Sequence, residues 1–333
     1  MSLHLLPVKH FHIIFTLPHQ LNDLIFYNQK RLYSLLFRAA WQTIQQVMQG
    51  GKTGMVATLH SWGSNLSYHP HLHCIVAAGS FKDEKWQPSC PLNPRFFCDA
   101  SLLRETFKEL FLKKLLQVIE LEELRWWEDA IENDETFPRI RSMYRKIKRK
   151  KWTVRIENPV LGVRQIIEYL ARYVRRVAIT NSRIEAVSVE KVTINYKQYA
   201  LQKPGKPPPV GKMEMEGTTF LQRFCQHFMP RRFHKVRYFG CYAFGAKRLK
   251  ARIHQHLTGQ PPAPYQPPKK KEIIKKMLGQ DPDVCINCGM MNAFVTEKIT
   301  TDTEQLFRLT PAHRIPFIRA GPGKVKHTKA VEF

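Results

Sequence analysis

Three histidines alternate along an apolar run in His69-Pro70-His71-Leu72-His73-Cys74-Ile75-Val76. Side chains on a β-strand change face with every residue, so His69, His71 and His73 share one face while Leu72 and Cys74 turn into the packing behind it. Two imidazoles at this spacing are set to hold one divalent ion, and the apolar reverse face keeps the strand still. An ordinary histidine-rich edge strand has the same spacing, so the pattern gains meaning only from its company. Tyr169 and Tyr173 stand four residues apart in the amphipathic stretch Gly162–Arg176. On a helix their hydroxyls leave one face, about 5 to 6 Å apart at Cβ. Arg172, Arg175 and Arg176 lie on the same stretch, and guanidinium forks match phosphate oxygens. A tyrosine pair alone is more often a packing feature. Combined with histidines for a metal, it supplies what phosphodiester transesterification needs: an ion to polarise the phosphate and a hydroxyl to attack phosphorus.

The formal net charge of +26 over 333 residues fits this chemistry. Such a field attracts polyanions, nucleic acid before an anionic membrane surface. No run of about 18 apolar residues is present to span a bilayer, and the N-terminus lacks a signal-peptide layout. The seven cysteines are mostly scattered singly, which points to a reducing, cytoplasmic setting without structural disulfides. Gly50-Gly51-Lys52-Thr53 is not a phosphate-binding loop, because Gln46 stands where its first glycine would be.

The elements that must position these residues follow from periodicity. Lys9–Pro18 reads as a strand, and Leu21–Gln49 as a long helix with Leu24, Ile25, Leu32, Leu35, Leu36 and Ala39 on one stripe. Gly54–Trp62 and His71–Ala78 read as an antiparallel hairpin, which brings His60 beside the histidine strand. A helix is expected over about residues 101 to 132, ending in the acidic stretch Glu120–Glu135. The tract Arg139–Lys151 follows with eight basic residues. Within it Lys148, Arg149, Lys150 and Lys151 form either a backbone-phosphate clamp or a solvated basic face. Trp152–Ile156 reads as a strand, Gly162–Arg176 as a helix, and Ile184–Val189 with Val192–Tyr196 as a late hairpin. Lys203–Lys212 reads as a loop, Thr218–Met229 as a helix, His234–Phe239 as a strand and Tyr242–His256 as a basic helix. Gln260–Pro268 is an extended linker into a basic tail. Strands interleaved with helices, with hairpins among them, predict an α+β fold around an antiparallel sheet.

With these residues in view, the chain resembles the HUH-type two-tyrosine transposases of rolling-circle insertion sequences. Leu6-Pro7-Val8 through Phe11 to Pro18 is similar to the family's opening block. Leu59-His60-Ser61-Trp62-Gly63 through His69 to Cys74 is similar to its metal block, and Tyr169 to Ile179 to its tyrosine block. Phe220 to Phe224 and Arg237 to Gly240 resemble the block after that. The likeness runs in the family's order through roughly residues 5 to 245, which is far more specific than any one motif. It implies an HUH-endonuclease-like antiparallel sheet flanked by helices over residues 1–257, and a linker with a basic C-terminal extension over 258–333. It implies that His71 and His73 are the metal pair and that Tyr169 and Tyr173 are the catalytic tyrosines. It further implies a strand transferase cutting single-stranded DNA from its own element's ends, with a 5′-phosphotyrosine intermediate, Mg²⁺ or Mn²⁺, and no ATP.

A third metal ligand follows from hairpin geometry. His60 is placed a strand spacing from His71 or His73, with His69 the alternative beside Pro70. All-imidazole ligation favours Mn²⁺ over Mg²⁺. The chain begins almost at the opening block, so the family's cysteine-rich zinc segment is not seen before it, and Cys285 and Cys288 form only half of a zinc ribbon. A rolling-circle replication initiator would use the same site. A decayed, inactive DNA-binding relative would keep the charge and lose the cleavage.

Overall fold

A computed structural model describes residues 5–93, 95–120, 124, 136–159, 178–203, 205–262, 294–301 and 304–311, with isolated positions between 272 and 284. Tyr169, Arg172, Tyr173, Arg175 and Arg176, the helix expected over Gly162–Arg176, most of the acidic stretch and the pair Cys285 and Cys288 lie outside the described residues. Two compact units are formed, Leu3–Ala263 and Pro264–Phe333 with Met1–Ser2.

The larger unit is α+β. Its centre is a five-stranded sheet in the order β10-β2-β3-β1-β6, made of β1 (His10–Thr16), β2 (Gly54–Trp62), β3 (Tyr68–Ala77), β6 (Thr153–Ile156) and β10 (Val236–Gly240). Every neighbouring pair is antiparallel. Alternation gives the sheet two unlike faces. The back face carries Phe11, Ile13, Phe15, Met55, Ala57, Leu59, Leu72, Cys74 and Val76, all buried in the main core. Helices α2 (Gln29–Val47) and α3 (Ala100–Glu120) pack into that core through Leu32, Leu36, Phe37 and Ile44 and through Leu103, Phe107, Phe111 and Leu115. Each fully buried aliphatic or aromatic side chain contributes about 1.5–3 kcal/mol, so this layer drives folding of the unit.

The front face is divided. One half is closed by residues Leu5 and Leu6, by the hairpin of β4 (Gly79–Lys82) and β5 (Lys85–Pro88), and by α6 (Lys247–Thr258). Val56, Ile75 and Ala77 pack there with Phe81, Cys241, Tyr242 and Ile253. The other half carries the histidines. A three-stranded sheet of β7 (Ile184–Val187), β8 (Lys191–Lys197) and β9 (Val210–Glu216), with α5 (Gly217–Cys225), forms a third cluster around Leu66, Ile179, Val192, Ile194 and Met215. In the smaller unit β11 (Phe294–Thr301) and β12 (Glu304–Pro311) pair as an antiparallel hairpin.

The long helix expected over residues 21–49 is broken in two. Helix α1 (Asn22–Tyr27) ends at Asn28, which has φ −125° and ψ 33°, and whose Nδ2 donates to the Leu24 carbonyl at 2.9 Å. Asparagine competes for backbone carbonyls in this way and thereby punctuates helices. The basic tract is helical as α4 (Thr136–Arg149). The hairpin β4–β5 and strand β9 carry weak local signals. The first turns on Asp83 and Glu84, both at positive φ, and β9 begins in the last three residues of the Lys203–Lys212 stretch that reads as a proline-glycine loop and runs on to Glu216. At the end of β10, Gly240 has φ +60°, and a Cβ there would sit 2.0 Å from the Thr53 carbonyl. Only glycine closes that corner.

Beneath the closed half, His10 is fully buried. Its Nδ1–H donates to the Val8 carbonyl at 2.8 Å, and its Nε2 accepts from the Tyr242 hydroxyl at 2.6 Å. The Tyr242 oxygen in turn accepts the Leu6 N–H at 3.3 Å. Burial lowers the His10 pKa from 6.5 to about 4, against the Val8 hydrogen bond that raises it. Stability from this neutral ring is therefore complete above pH 6.5 and is lost as pH falls towards 4, because the unfolded chain takes up the proton first. Urea denaturation of wild type and His10→Gln at pH 7 and pH 4 is expected to show a wild-type acid loss greater by about 3 kcal/mol.

Candidate active site

The histidines meet because of the register between β2 and β3. His60 pairs with His71, and Thr58 with His73, so all three imidazoles stand on the front face at the end of the sheet left clear by α6. The pairing irregularity between His60 and Trp62 keeps the Trp62 ring over His60, with centroids 4.6 Å apart and planes 17° apart. The loop joining the strands is held from both sides. The Gly63 N–H donates to the Ser67 carbonyl at 2.9 Å, the Ser64 hydroxyl to the Lys197 carbonyl at 2.6 Å, and the Arg183 guanidinium to the Ser64 carbonyl. His227 reaches the Leu66 carbonyl at 3.2 Å. The β7–β8–β9 layer thus clasps the tip of the histidine hairpin.

One nitrogen from each of His60, His71 and His73 lies within 4.8 Å of the other two. The donor set fits a divalent ion on a local observation. His71 donates Nδ1–H to the His69 carbonyl at 2.7 Å, which leaves Nε2 as a lone pair. Burial, reinforced by the neighbouring His60, lowers its pKa to about 3, so the ring takes no second proton near neutrality. That Nε2 lies 3.2 Å from Nε2 of His73, an approach that calls for a proton or a cation between the two nitrogens. Two ligands sharing one first-row ion at about 2.1 Å are separated by about 3.0–3.4 Å. His69 stands apart from the triad. It is not among the three whose nitrogens converge, although its ring lies 5.3 Å from that of His71, and burial, then His19, lowers its pKa.

Two groups missed in the sequence reading complete the surroundings. His12 on β1 places Nε2 at 2.8 Å from Nδ1 of His73, and its Nδ1 lies 2.7 Å from Oε2 of Glu157. The signal for His12 was available, since His10-Phe11-His12 repeats the alternation of the histidine strand. Glu157 carried none. Tyr68, although adjacent to His69, faces the back of the sheet, where its hydroxyl meets that of Tyr33 at 2.5 Å. Burial raises both phenols, Tyr33 to about 12, which is the wrong direction for a nucleophile.

Lys148, Arg149, Lys150 and Lys151 are all exposed. They are pinned from both ends, by Ile147 at 0% and Trp152 at 2% exposure. The Trp152 Nε1–H donates to the Ile147 carbonyl at 3.0 Å, so four cations are held outward on a short, fixed corner. No helix among the described residues is long and apolar enough to cross a membrane.

The Trp62 ring stacked on His60 offers a reporter. Titration with Mn²⁺, a paramagnetic quencher, is expected to lower tryptophan emission saturably. Trp62→Phe should remove most of that change, and His71→Ala should shift its midpoint at least tenfold upward.

Residues 54–250 match the Y2_Tnp family model, described as "Putative transposase". The chain is 31% identical over 296 residues to "Putative transposase y4qJ" of Sinorhizobium fredii, covering 85% of this chain and 72% of that protein. It is 25% identical over 299 residues to "Transposase for insertion sequence element IS801" of Pseudomonas savastanoi pv. phaseolicola, covering 84% of this chain and 65% of that relative, less than two thirds of its length. No solved structure matches the chain. The matched span contains His60, His71, His73, Tyr169 and Tyr173. With that span and the 31% identity together, the chain belongs to the Y2_Tnp transposase family.

Proposed function

We propose that this transposase cuts and rejoins single-stranded DNA from the ends of its own mobile element through a 5′-phosphotyrosine intermediate. The observation that carries the reading is the convergence of His60, His71 and His73 within 4.8 Å on the sheet face that α6 leaves clear. Tyr169 and Tyr173 are assigned as nucleophiles from their spacing and from the tyrosine block they resemble. The unit proposed to do this is residues 1–257.

His60, His71 and His73 would hold Mg²⁺ or Mn²⁺, with Mn²⁺ favoured by three nitrogen donors. When bound, the ion polarises the scissile phosphate and neutralises charge as it builds up. A tyrosine hydroxyl gives up its proton and its oxygen bonds to phosphorus; the bond from phosphorus to the 3′-oxygen breaks, and that oxygen leaves as a 3′-hydroxyl after taking a proton. The phosphotyrosine ester stores the energy of the broken diester, so resealing by another 3′-hydroxyl requires no ATP. The second tyrosine permits a second cleavage before the first is resolved. Arg172, Arg175 and Arg176 would hold phosphates beside the nucleophiles. Lys148, Arg149, Lys150 and Lys151 would neutralise the backbone further along the strand.

Single-stranded DNAs from the element's ends, labelled 3′ of the cut, are mixed with the protein and Mn²⁺ or chelator and resolved on a denaturing gel. Label is expected to travel with the protein only when Mn²⁺ is present, and to vanish in the Tyr169→Phe/Tyr173→Phe double variant while binding persists. Tight binding without any adduct would instead mark a DNA-binding relative without cleavage. Separately, exchanging Lys148, Arg149, Lys150 and Lys151 for glutamine is expected to flatten the slope of log affinity against log salt by about 2 to 3, from about 0.7 per released counterion on single strands. An unchanged slope would make this corner a solvated face.

A further inference from the structure

His12 lies on β1 and Glu157 directly follows β6, the strand that pairs with β1, and neither belongs to the triad. Yet His12 makes a hydrogen bond directly behind His73. The rings of His12 and His73 have centroids 5.0 Å apart and planes 10° apart, while Nε2 and Nδ1 are separated by 2.8 Å. Those values place the rings edge to edge and nearly coplanar, so the hydrogen bond runs in both ring planes, where the nitrogen lone pair and the N–H point. His12 is 1% exposed. Its far nitrogen meets Glu157 at 2.7 Å, and the Glu157 N–H donates to the His12 carbonyl at 2.9 Å, which fixes the carboxylate beside the ring. The Glu157 side chain is 39% exposed, so the chain of groups begins at solvent and ends at the triad.

We infer that Glu157 and His12 are positioning residues that orient His73 and fix its tautomer for metal binding. The inference rests on the reading of His60, His71 and His73 as a metal site. A neutral imidazole that ligates through Nε2 carries its proton on Nδ1. His73 then donates Nδ1–H to Nε2 of His12, so His12 carries its own proton on Nδ1 and donates it to Glu157, whose carboxylate can only accept. With His73 ligating through Nε2, both hydrogen bonds have one direction, and a carboxylate that can only accept matches it. With that anchor removed, His12 can reverse its tautomer and present Nε2–H to His73. His73 then accepts on Nδ1 and carries a proton on the nitrogen the ion requires. Carboxylates and carbonyls commonly fix metal-ligating histidines directly. Here the carboxylate acts through an intervening histidine, while His71 is fixed by the His69 carbonyl.

Mn²⁺ affinity is read from the free-ion signal in electron paramagnetic resonance for the full chain and for Glu157→Ala, Glu157→Gln and His12→Gln, with thermal melting recorded for each. Glu157→Ala is expected to weaken Mn²⁺ binding at least tenfold. Glu157→Gln retains a carbonyl oxygen that accepts from His12 and is expected to recover most of that loss, and His12→Gln to lie between the two. A purely structural role for Glu157 would move the melting temperature and leave Mn²⁺ affinity alone. Affinity within twofold of wild type in Glu157→Ala, or no recovery in Glu157→Gln, overturns the inference while the metal site stands. Absence of Mn²⁺ binding by the wild-type chain overturns the metal site and this inference with it.

Discussion

The pairing of β2 with β3 is the constraint on which the site depends. Side chains alternate along both strands, so sliding one by a single residue would carry its whole set to the opposite face. His71 and His73 would enter the core, and Leu72 and Cys74 would meet solvent. Leu59, Leu72, Cys74 and Val76 are all at 0% exposure against α2 and α3. The free energy of burying these residues therefore fixes the register. The histidines are placed by the apolar residues between them, and the facing of His60 and His71 is a by-product of a well-packed back face.

The same sheet explains why the imidazoles tolerate one another. Three close rings would repel if each held an extra proton, and desolvation favours the neutral form. His71 illustrates this, its pKa lowered to about 3 by burial and by His60. Neutral rings are also the ones with lone pairs to offer. The protein's large positive charge lies elsewhere, on solvated positions such as Lys148 to Lys151, where water screens it and a polyanion can reach it. The groups proposed to ligate a metal and those proposed to bind phosphate are thus kept in different dielectric surroundings within one unit.

Rigidity reaches the site from three directions. The β7–β8–β9 layer and the segments that flank it hold the hairpin tip, Lys197 and Arg183 at Ser64 and His227 at Leu66. Helix α6 closes the neighbouring half of the front face through Ile253. His12 and Glu157 hold His73 from the β1 side. A ligand set held within a fraction of an ångström needs such support, because strand geometry alone leaves ring rotation about χ2 free.

The sequence by itself determined whatever depends on backbone periodicity and composition. The alternation of His69, His71 and His73, the burial of Leu72 and Cys74 behind them, the α+β class and the basic character were all legible from local spacing. The order of blocks resembling two-tyrosine transposases was legible as well. His60 was within reach because a short hairpin loop leaves few registers open. Tertiary structure decided what depends on distant segments meeting. Glu157 approaches His12 across 145 positions only because β6 joins the sheet beside β1, and no local pattern encodes that order. The break at Asn28 and the strand β9 also escaped, since one side-chain hydrogen bond outweighed helical periodicity in the first and strand pairing with β8 outweighed a loop-like composition in the second. Periodicity is set by the geometry of a few adjacent peptides, whereas strand order is set by which arrangement buries the most apolar surface over the whole unit.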